Sequence, residues 1–545
     1  MTTSRFAQRT VTQLALATVL CSFGCSSESG ADTVRNSDPT SNDADGGTSG
    51  NDARSDAEIA PPAEGGSNDG SLGSDANESA PPSEDGGAPP GPATATLRTY
   101  FTLQYVTVAS DGSSVAAGSD TAGAAETFTL TDLNGGSLED GDSVLFAANN
   151  GQYLSAVDGG GGMLRADAPG AGDDETFVVT RIDGPGAVSS GDRIALGTKA
   201  KDNYVSAIDG GGGEVRADAP WAREWEMFRI YLNGDSPPSA SAGRQKVLDY
   251  IASIAGSKTI SGQHNKFNDD PSGATKWIED HTGKVPGLWS ADFGFGDGAV
   301  NNRDKMIKEA TKQWSQGSIV QILYHTCIPT RDELCGWDDI GGANPQHLSD
   351  AEWNELVTDG TALNTAWKQR LDALSVFFAK LETAGVAPLF RPLHEMNQGV
   401  FWWGGRGGAN GTRRLFQLTH DYLVKTKGFE HIIWMWDVQD FGSLQNDVSA
   451  YDPGQDYYDI AALDIYGGGY DAWKYDAIRG AAGSRPFGIG ECAVVPTSER
   501  IAEQPAWAFF MLWPDFLQEN EDAGRLLPLY NAPNVITRDQ MPGWE

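Results

Sequence analysis

From Lys246 onward the chain alternates eight short apolar runs with stretches of helical periodicity, and this alternation restricts the fold more than any other feature. The runs are Thr259–His264, Val285–Phe293, Ser318–His325, Ala387–Glu395, His431–Asp437, Asp459–Tyr466, Pro486–Val494 and Trp507–Phe516. A strand covered on both faces reads as a continuous apolar run, because neither face meets water. Between most runs lie segments such as Trp367-Lys-Gln-Arg-Leu-Asp-Ala-Leu-Ser-Val-Phe-Phe-Ala-Lys-Leu381, whose apolar residues recur at helical spacing. Eight strand–helix units within roughly 300 residues predict an α/β architecture, a (β/α)8 TIM barrel over residues 245–540.

In such a barrel the chemistry gathers at the C-terminal strand ends. The last residues of the eight runs are His264, Asp292, His325, His394-Glu395, Asp437, Tyr466, Glu491 and Trp513. Two of them are glutamates on the fourth and seventh strands, nearly opposite in an eight-membered ring, so their carboxylates can converge. Paired carboxylates across a sugar ring are the equipment of a glycosidase, and a separation near ~5.5 Å makes hydrolysis retaining.

Rival readings stand beside each of these. A strand-end glutamate can form a structural salt bridge with Arg391. His264, His325 and His394 can be read as a metal site, but no His pair at i, i+4 and no Cys partner accompanies them, so neither metal nor cofactor is expected. Asp292 and Asp437 are open between structural hydrogen bonding and contact with a sugar hydroxyl. Trp402 and Trp403 precede Gly404-Gly-Arg-Gly-Gly408 and read as loop aromatics facing a ligand, with core packing as the alternative.

Arg391-Pro-Leu-His-Glu-Met-Asn397 followed by Phe401-Trp-Trp-Gly404 resembles the acid/base signature of glycoside hydrolase family 26, the β-mannanases. Ile489-Gly-Glu491 resembles its nucleophile strand, and Leu463-Asp-Ile-Tyr-Gly467 the strand that supplies a tyrosine beside the nucleophile. The resemblance implies Glu395 as acid/base and Glu491 as nucleophile of a retaining endo-β-1,4-mannanase acting on mannan or a related plant polysaccharide. It further implies Tyr466 as hydrogen-bond donor to the nucleophile and Trp513 as the floor under the −1 sugar. Trp402 and Trp403 would flank the leaving-group side, with His325 and His394 near hydroxyls at the scissile bond. Cleavage of β-1,3-xylan or mixed-linkage β-glucan on the same barrel is the alternative within the class. A non-catalytic surface glycan-binding protein is the alternative outside it, opposed by the presence of both glutamates.

The amino-terminal part differs throughout. Arg5 and Arg9, then a short apolar stretch from Val11 to Phe23, read as a secretory signal too short to span a membrane. Ser22-Phe-Gly-Cys25 resembles a bacterial lipoprotein box, which predicts lipidation of Cys25 and a cell-surface or outer-membrane protein, otherwise a secreted one. Residues 26–94 carry 14 acidic and 2 basic residues and almost no large apolar side chain, the composition of a disordered, self-repelling tether.

Within 97–234, Tyr153-Leu-Ser-Ala-Val-Asp-Gly-Gly-Gly-Gly recurs 51 residues later as Tyr204-Val-Ser-Ala-Ile-Asp-Gly-Gly-Gly-Gly, with a weaker first copy from Tyr105. Three units of roughly 50 residues rich in alternating strands predict a β-trefoil, and the Tyr-x-Ser-Ala-x-Asp pattern resembles a fascin-like unit, which implies carbohydrate binding or a plain interaction module. The glycine runs read as hairpin turns, since no helix start and no Lys-Ser/Thr follows them.

A net charge of −36 argues against nucleic acid or an anionic lipid surface as partner; contact with a membrane is expected only through the anchor, and the chain is expected to be a monomer. In an exported protein Cys327 and Cys335 are close enough in sequence to bridge one loop, while Cys492 reads as a buried, unpaired thiol.

Overall fold

A computed structural model describes residues 93–341, 346–467 and 469–544. The predicted signal, the Cys25 lipidation site and nearly all of the acidic tether lie outside the described residues.

Eight parallel strands close into a barrel: Thr259–His264, Leu288–Asp292, Ile319–Tyr324, Leu389–Pro392, Ile433–Gln439, Ile460–Ile465, Phe487–Cys492 and Trp507–Leu512. Each pairs with the next, and the eighth pairs with the first through Ile260 and Phe509. Every residue of the first four and last three strands is buried, as continuous apolar runs require. Helices wrap the barrel. The longest, Ala362–Thr383, contains the predicted helical segment; the Thr361 side chain caps it by accepting from the Asn364 N–H, and Trp367, Leu371, Leu374, Phe378 and Leu381 recur on its buried face.

Ahead of the barrel, twelve antiparallel strands run from Ala93 to Leu232. Six of them, Ala93–Thr99, Phe128–Asp132, Ser143–Ala147, Phe177–Arg181, Arg193–Thr198 and Phe228–Leu232, pair in a closed ring. The other six form three hairpins, one per sequence repeat. Isolated bridges Ser114–Arg165 and Met163–Arg216 join each hairpin to the next. The repeat thus supplies four strands three times over, around a core that includes Phe128, Phe146, Phe177 and Phe228.

The β-domain and the barrel belong to one compact unit. Arg98 donates to the Ala384 carbonyl (2.9 Å), and Leu103 packs into the barrel's own core cluster. Ala384 ends the helix that leads into the fourth strand, so the β-domain meets the barrel at the N-terminal strand ends.

Candidate active site

The structure brings the predicted strand-end residues together at the C-terminal mouth, but not always as the sequence predicts. The fourth strand stops at Pro392, whose ring has no N–H to continue the ladder, and Glu395 lies three residues beyond. The turn that carries it contains two non-glycine residues in the left-handed region, Leu393 (φ 52°) and Glu395 (φ 49°). Such conformations cost of order 1–3 kcal/mol each and persist where neighbours enforce them. Here the enforcer is Asp437 on the fifth strand, whose Oδ1 accepts from the Glu395 N–H at 2.8 Å.

Glu491 reaches the mouth through a bulge. Along the sixth and seventh strands Leu463 faces Ile489, yet Asp464 faces Glu491, so Gly490 is an extra residue in the seventh strand. The eighth strand shows the same slip, with Ile489 opposite Phe510 and Cys492 opposite Leu512. A bulge re-aims the side chain that follows it. Only glycine fits: a Cβ at 490 would lie 2.5 Å from both Asp437 Oδ2 and Asp464 Oδ1.

One carboxylate oxygen each of Glu395, Asp464 and Glu491 lie within 4.8 Å of one another. These are the atoms that could hold a metal ion, but a fixed cation already serves two of the three groups. Arg391, fully buried on the fourth strand, donates through Nη1 to Asp464 (2.7 Å) and Asp437 (2.9 Å) and through Nη2 to Glu491. Tyr466 donates its hydroxyl to the other Glu491 oxygen. Among the described residues the Glu395 carboxyl has no protein hydrogen-bond partner.

The electrostatics follow from this asymmetry. Burial, then the charges of Glu491 and Asp437, push the Glu395 carboxyl well above the usual range. Burial pushes Glu491 up as well, but Arg391 and the Tyr466 hydrogen bond pull it back. Burial also raises Asp464, opposed by Arg391. It keeps His264 neutral, down to about 3, and, aided by His325 and Arg391, holds His394 well below its ordinary value.

Around the carboxyls stands a continuous aromatic wall. Trp513 stacks on His264 with centroids 4.5 Å apart, and its ring lies 6.0 Å from His325. His325 contacts His394 at 4.4 Å, and Trp403 stands 5.7 Å from His394 with Phe401 stacked on it at 4.4 Å. His394 Nδ1 is buried without a protein partner. Phe295, held at φ 72°, closes the wall 4.6 Å from His325.

Several expectations need correcting. Trp402 and Trp403 are fully buried, not exposed on a loop. Trp402 donates its indole N–H to the Thr326 carbonyl at 2.7 Å and packs edge-on against Trp367, so it belongs to the core; Trp403 donates to the His394 carbonyl at 2.9 Å and braces that histidine. Asp292 and Asp437 are buried, and all four of their oxygens already accept from groups inside the protein. Asp292 accepts from the Gly294 and His325 N–H groups and from the His325 ring. Burial resists its ionisation, yet His325, together with His264 and the Gly294 N–H, holds it below its usual range. Asp437 accepts from the Glu395 N–H and from Arg391. Both aspartates position other groups.

The rival salt bridge of Arg391 is present too, and it engages Glu491 rather than Glu395. Asp464, Phe295 and Phe401 were not singled out from the sequence. Asp464 had a signal: it lies two residues before Tyr466, on the same strand face. Cys327 and Cys335 are bonded, with Cα atoms 5.7 Å apart, and Cys492 is free and buried.

Two carboxyls in this setting, one donor-bound and one not, on the mouth of a (β/α)8 barrel, define the class of barrel glycoside hydrolases. The chain belongs to glycosyl hydrolase family 26, whose model matches residues 236–540. It is similar to a mannan endo-1,4-beta-mannosidase of Thermothelomyces thermophilus, 29% identical over 323 residues that cover 56% of this chain and 63% of that protein. A mannan endo-1,4-beta-mannosidase of Bacillus subtilis is 24% identical over 272 residues, 47% of this chain and 72% of that protein. Among solved structures, GH26A from Muricauda sp. MAR_2010_75 is 32% identical with a TM-score of 0.51, covering 55% of this chain and 97% of that one. The chain spans about 63% of the length of the Thermothelomyces relative.

Proposed function

We propose that the protein is a retaining endo-β-1,4-mannanase. One observation carries the reading: Glu395 and Glu491 approach within 4.8 Å, and all the donors serve Glu491. Retaining glycosidases hold their carboxyls about 5–5.5 Å apart, whereas inverting ones leave room for a water between them. In the first step the ionised Glu491 attacks the anomeric carbon while Glu395 gives its proton to the departing oxygen. A glycosyl ester forms on Glu491. That ester removes the negative charge which raised the Glu395 carboxyl, so Glu395, now ionised, accepts a proton from water as the water attacks the same carbon and frees Glu491. Arg391 and Tyr466 hold the nucleophile and disperse its charge. Trp513 offers a face to the flattened, cationic sugar. Mannan is favoured over xylan or mixed-linkage glucan because the curated relatives named above are mannan endo-1,4-beta-mannosidases.

Two variants test the assignment. Glu491→Ala should lose turnover of every substrate, while Glu395→Ala should keep the first step on aryl glycosides whose leaving group needs no proton. The reverse pattern overturns the roles, and an α-anomer as first product on mannan would exclude the ester.

The ring of six strands with three hairpins supports a β-trefoil, read here as a glycan-binding module. The amino-terminal pattern supports export and lipidation at Cys25; Cys25→Ser should then move the protein from the membrane to a soluble exported fraction, and an unchanged membrane fraction would refute the anchor.

A further inference from the structure

The three repeats of the β-domain share their framework but not one loop. Before the last strand of each unit the sequence reads Thr121-Ala-Gly-Ala-Ala-Glu126, Gly170-Ala-Gly-Asp-Asp-Glu175 and Trp221-Ala-Arg-Glu-Trp-Glu226. The loop geometry is retained: Glu126 accepts from the Gly123 N–H and Glu226 from the Arg223 N–H, both at 2.8 Å. What the third copy adds is a pair of large aromatic rings. Trp221 is 55% exposed and Trp225 41% exposed.

Contact with the barrel does not account for them. Glu224, between the two, accepts from Gln316 Nε2 at 2.9 Å and lies 3.9 Å from Lys312 Nζ, so the loop is fastened to the barrel by its acidic residue. Both rings stay open to solvent beside that fastening. Arg223 covers one face of Trp221, its guanidinium 4.8 Å from the ring centroid, and stiffens the indole. An exposed pair of this size on a fixed loop is a recognition feature rather than a folding one, since burial would have stabilised the domain and the other two repeats do without it.

We propose that Trp221 and Trp225 form a stacking platform for a neutral, β-linked hexose polysaccharide, giving the β-domain one binding site and not three. This rests on the mannanase reading for the identity of the polymer. A pyranose presents an apolar C–H face that lies flat on an indole, and the exposed Arg223 beside Trp221 is placed to meet its hydroxyls. The charge of the chain, −36, selects against acidic polymers. Lys312 and Gln316 sit at the end of the helix Arg303–Ser315, which leads into the third barrel strand, so the platform lies towards the N-terminal strand ends and the cleft opens at the other. A polymer held there does not compete for the cleft. The platform keeps the enzyme on an insoluble surface while the cleft works on another stretch of chain, a gain through effective concentration alone.

The test uses the full chain carrying Trp221→Ala and Trp225→Ala, with Asp174→Ala at the equivalent loop of the second repeat as control. Adsorption to insoluble β-mannan is measured in a Glu491→Ala background, and turnover of short soluble manno-oligosaccharides in the active one. Loss of two aromatic anchors should weaken adsorption by about tenfold or more, with soluble turnover at the parent's value and the Asp174 variant unaffected. Replacing both tryptophans by Tyr, which keeps a stacking face, should recover much of the adsorption. Adsorption equal to the parent's in the double Ala variant overturns the proposal, as does an equal loss of soluble turnover, which would make the loop a structural support. Retention on acidic polymer or on protein alone also overturns it. If the parent turns over no manno-oligosaccharide at all, it is the mannanase reading that fails, and adsorption to a panel of cellulose and xylan then tests the platform by itself.

Discussion

Substituting Gly490→Ala puts a single methyl group where three elements of the site converge. Its carbon would sit 2.5 Å from Asp437 Oδ2 and from Asp464 Oδ1, and 3.1 Å from Ala462 Cβ. To reach ordinary contact both carboxylates must retreat by nearly 1 Å. Neither is a free end. Each holds Arg391 at 2.7–2.9 Å, and Arg391 holds Glu491. Overpacking of this kind costs about 1–3 kcal/mol when the surroundings yield, while outright rupture of a buried ion pair costs about 3–5 kcal/mol. The lower range is expected, because the seventh strand is already bulged and can shift. The shift displaces Glu491, and misplacement by about 1 Å costs roughly 100-fold in rate. The expected result is a folded enzyme with Tm lowered by several degrees and kcat lowered by about two orders of magnitude, read by calorimetry and by steady-state hydrolysis of mannan. Because binding surfaces away from Glu491 are untouched, KM should change far less. If Gly490→Ala keeps the parent's kcat and Tm, the carboxylate–arginine cluster has slack and does not fix Glu491.

Tyr466→Phe removes the hydrogen bond that helps keep Glu491 ionised, so the acidic limb of the kcat/KM profile should move to higher pH while the alkaline limb, set by Glu395, stays in place; the loss of rate should be about 10- to 100-fold, the worth of a hydrogen bond to a charged group. An unmoved acidic limb would mean that Glu491 does not set it. Replacing Cys327 and Cys335 by Ser opens a loop whose ends are 8 residues apart, for which loop entropy predicts about 2.5 kcal/mol. Arg370 also clamps this loop through the Cys327 and Arg331 carbonyls, and the loop leads to Trp337, whose ring lies 6.4 Å from Phe295. The variant should therefore show a lower Tm and a raised KM with kcat nearly kept; a kcat loss with KM unchanged would place the loop's influence on the chemistry instead.

The barrel was legible because its strands are buried on both faces and so announce themselves as apolar runs, and because polar residues at their ends stand out against that background. Glu395 and Glu491 could be found in this way. Their presentation could not. A bulge at Gly490 exists only in relation to Asp464 and Phe510 on neighbouring strands, and the sequence Gly-Ile-Gly-Glu carries no mark of which glycine is supernumerary. The left-handed conformation of Glu395 is likewise held by Asp437, 42 residues away. Trp402 and Trp403 misled because glycines nearby suggest an open loop, whereas burial is decided by two carbonyl acceptors, Thr326 and His394, brought close by the fold. Arg391 had a sign that can be used elsewhere: a charged residue inside a run otherwise reserved for apolar side chains needs partners in the barrel interior, and here it has three.

Four buried carboxyls, those of Glu395, Asp437, Asp464 and Glu491, face one guanidinium; Glu395 and Asp464 are both raised well above the usual range, and one of the two has no donor on its carboxyl. That is Glu395, and its raised pKa has a cost in stability that can be measured. The folded state holds the Glu395 proton more tightly than the unfolded chain, whose carboxyl titrates near about 4.3. Above that pH the unfolded chain releases its proton first, so stability is lost as pH rises towards the folded pKa; below it both states are protonated and nothing is lost. Glu395→Gln has no proton to release and, since the carboxyl has no protein partner, breaks no hydrogen bond. The variant should match the parent's Tm at low pH and exceed it increasingly above about pH 4.3, while losing mannan hydrolysis. A gap in Tm that does not change with pH would show that the difference is one of packing, and that Glu395 does not enter the resting enzyme as an acid.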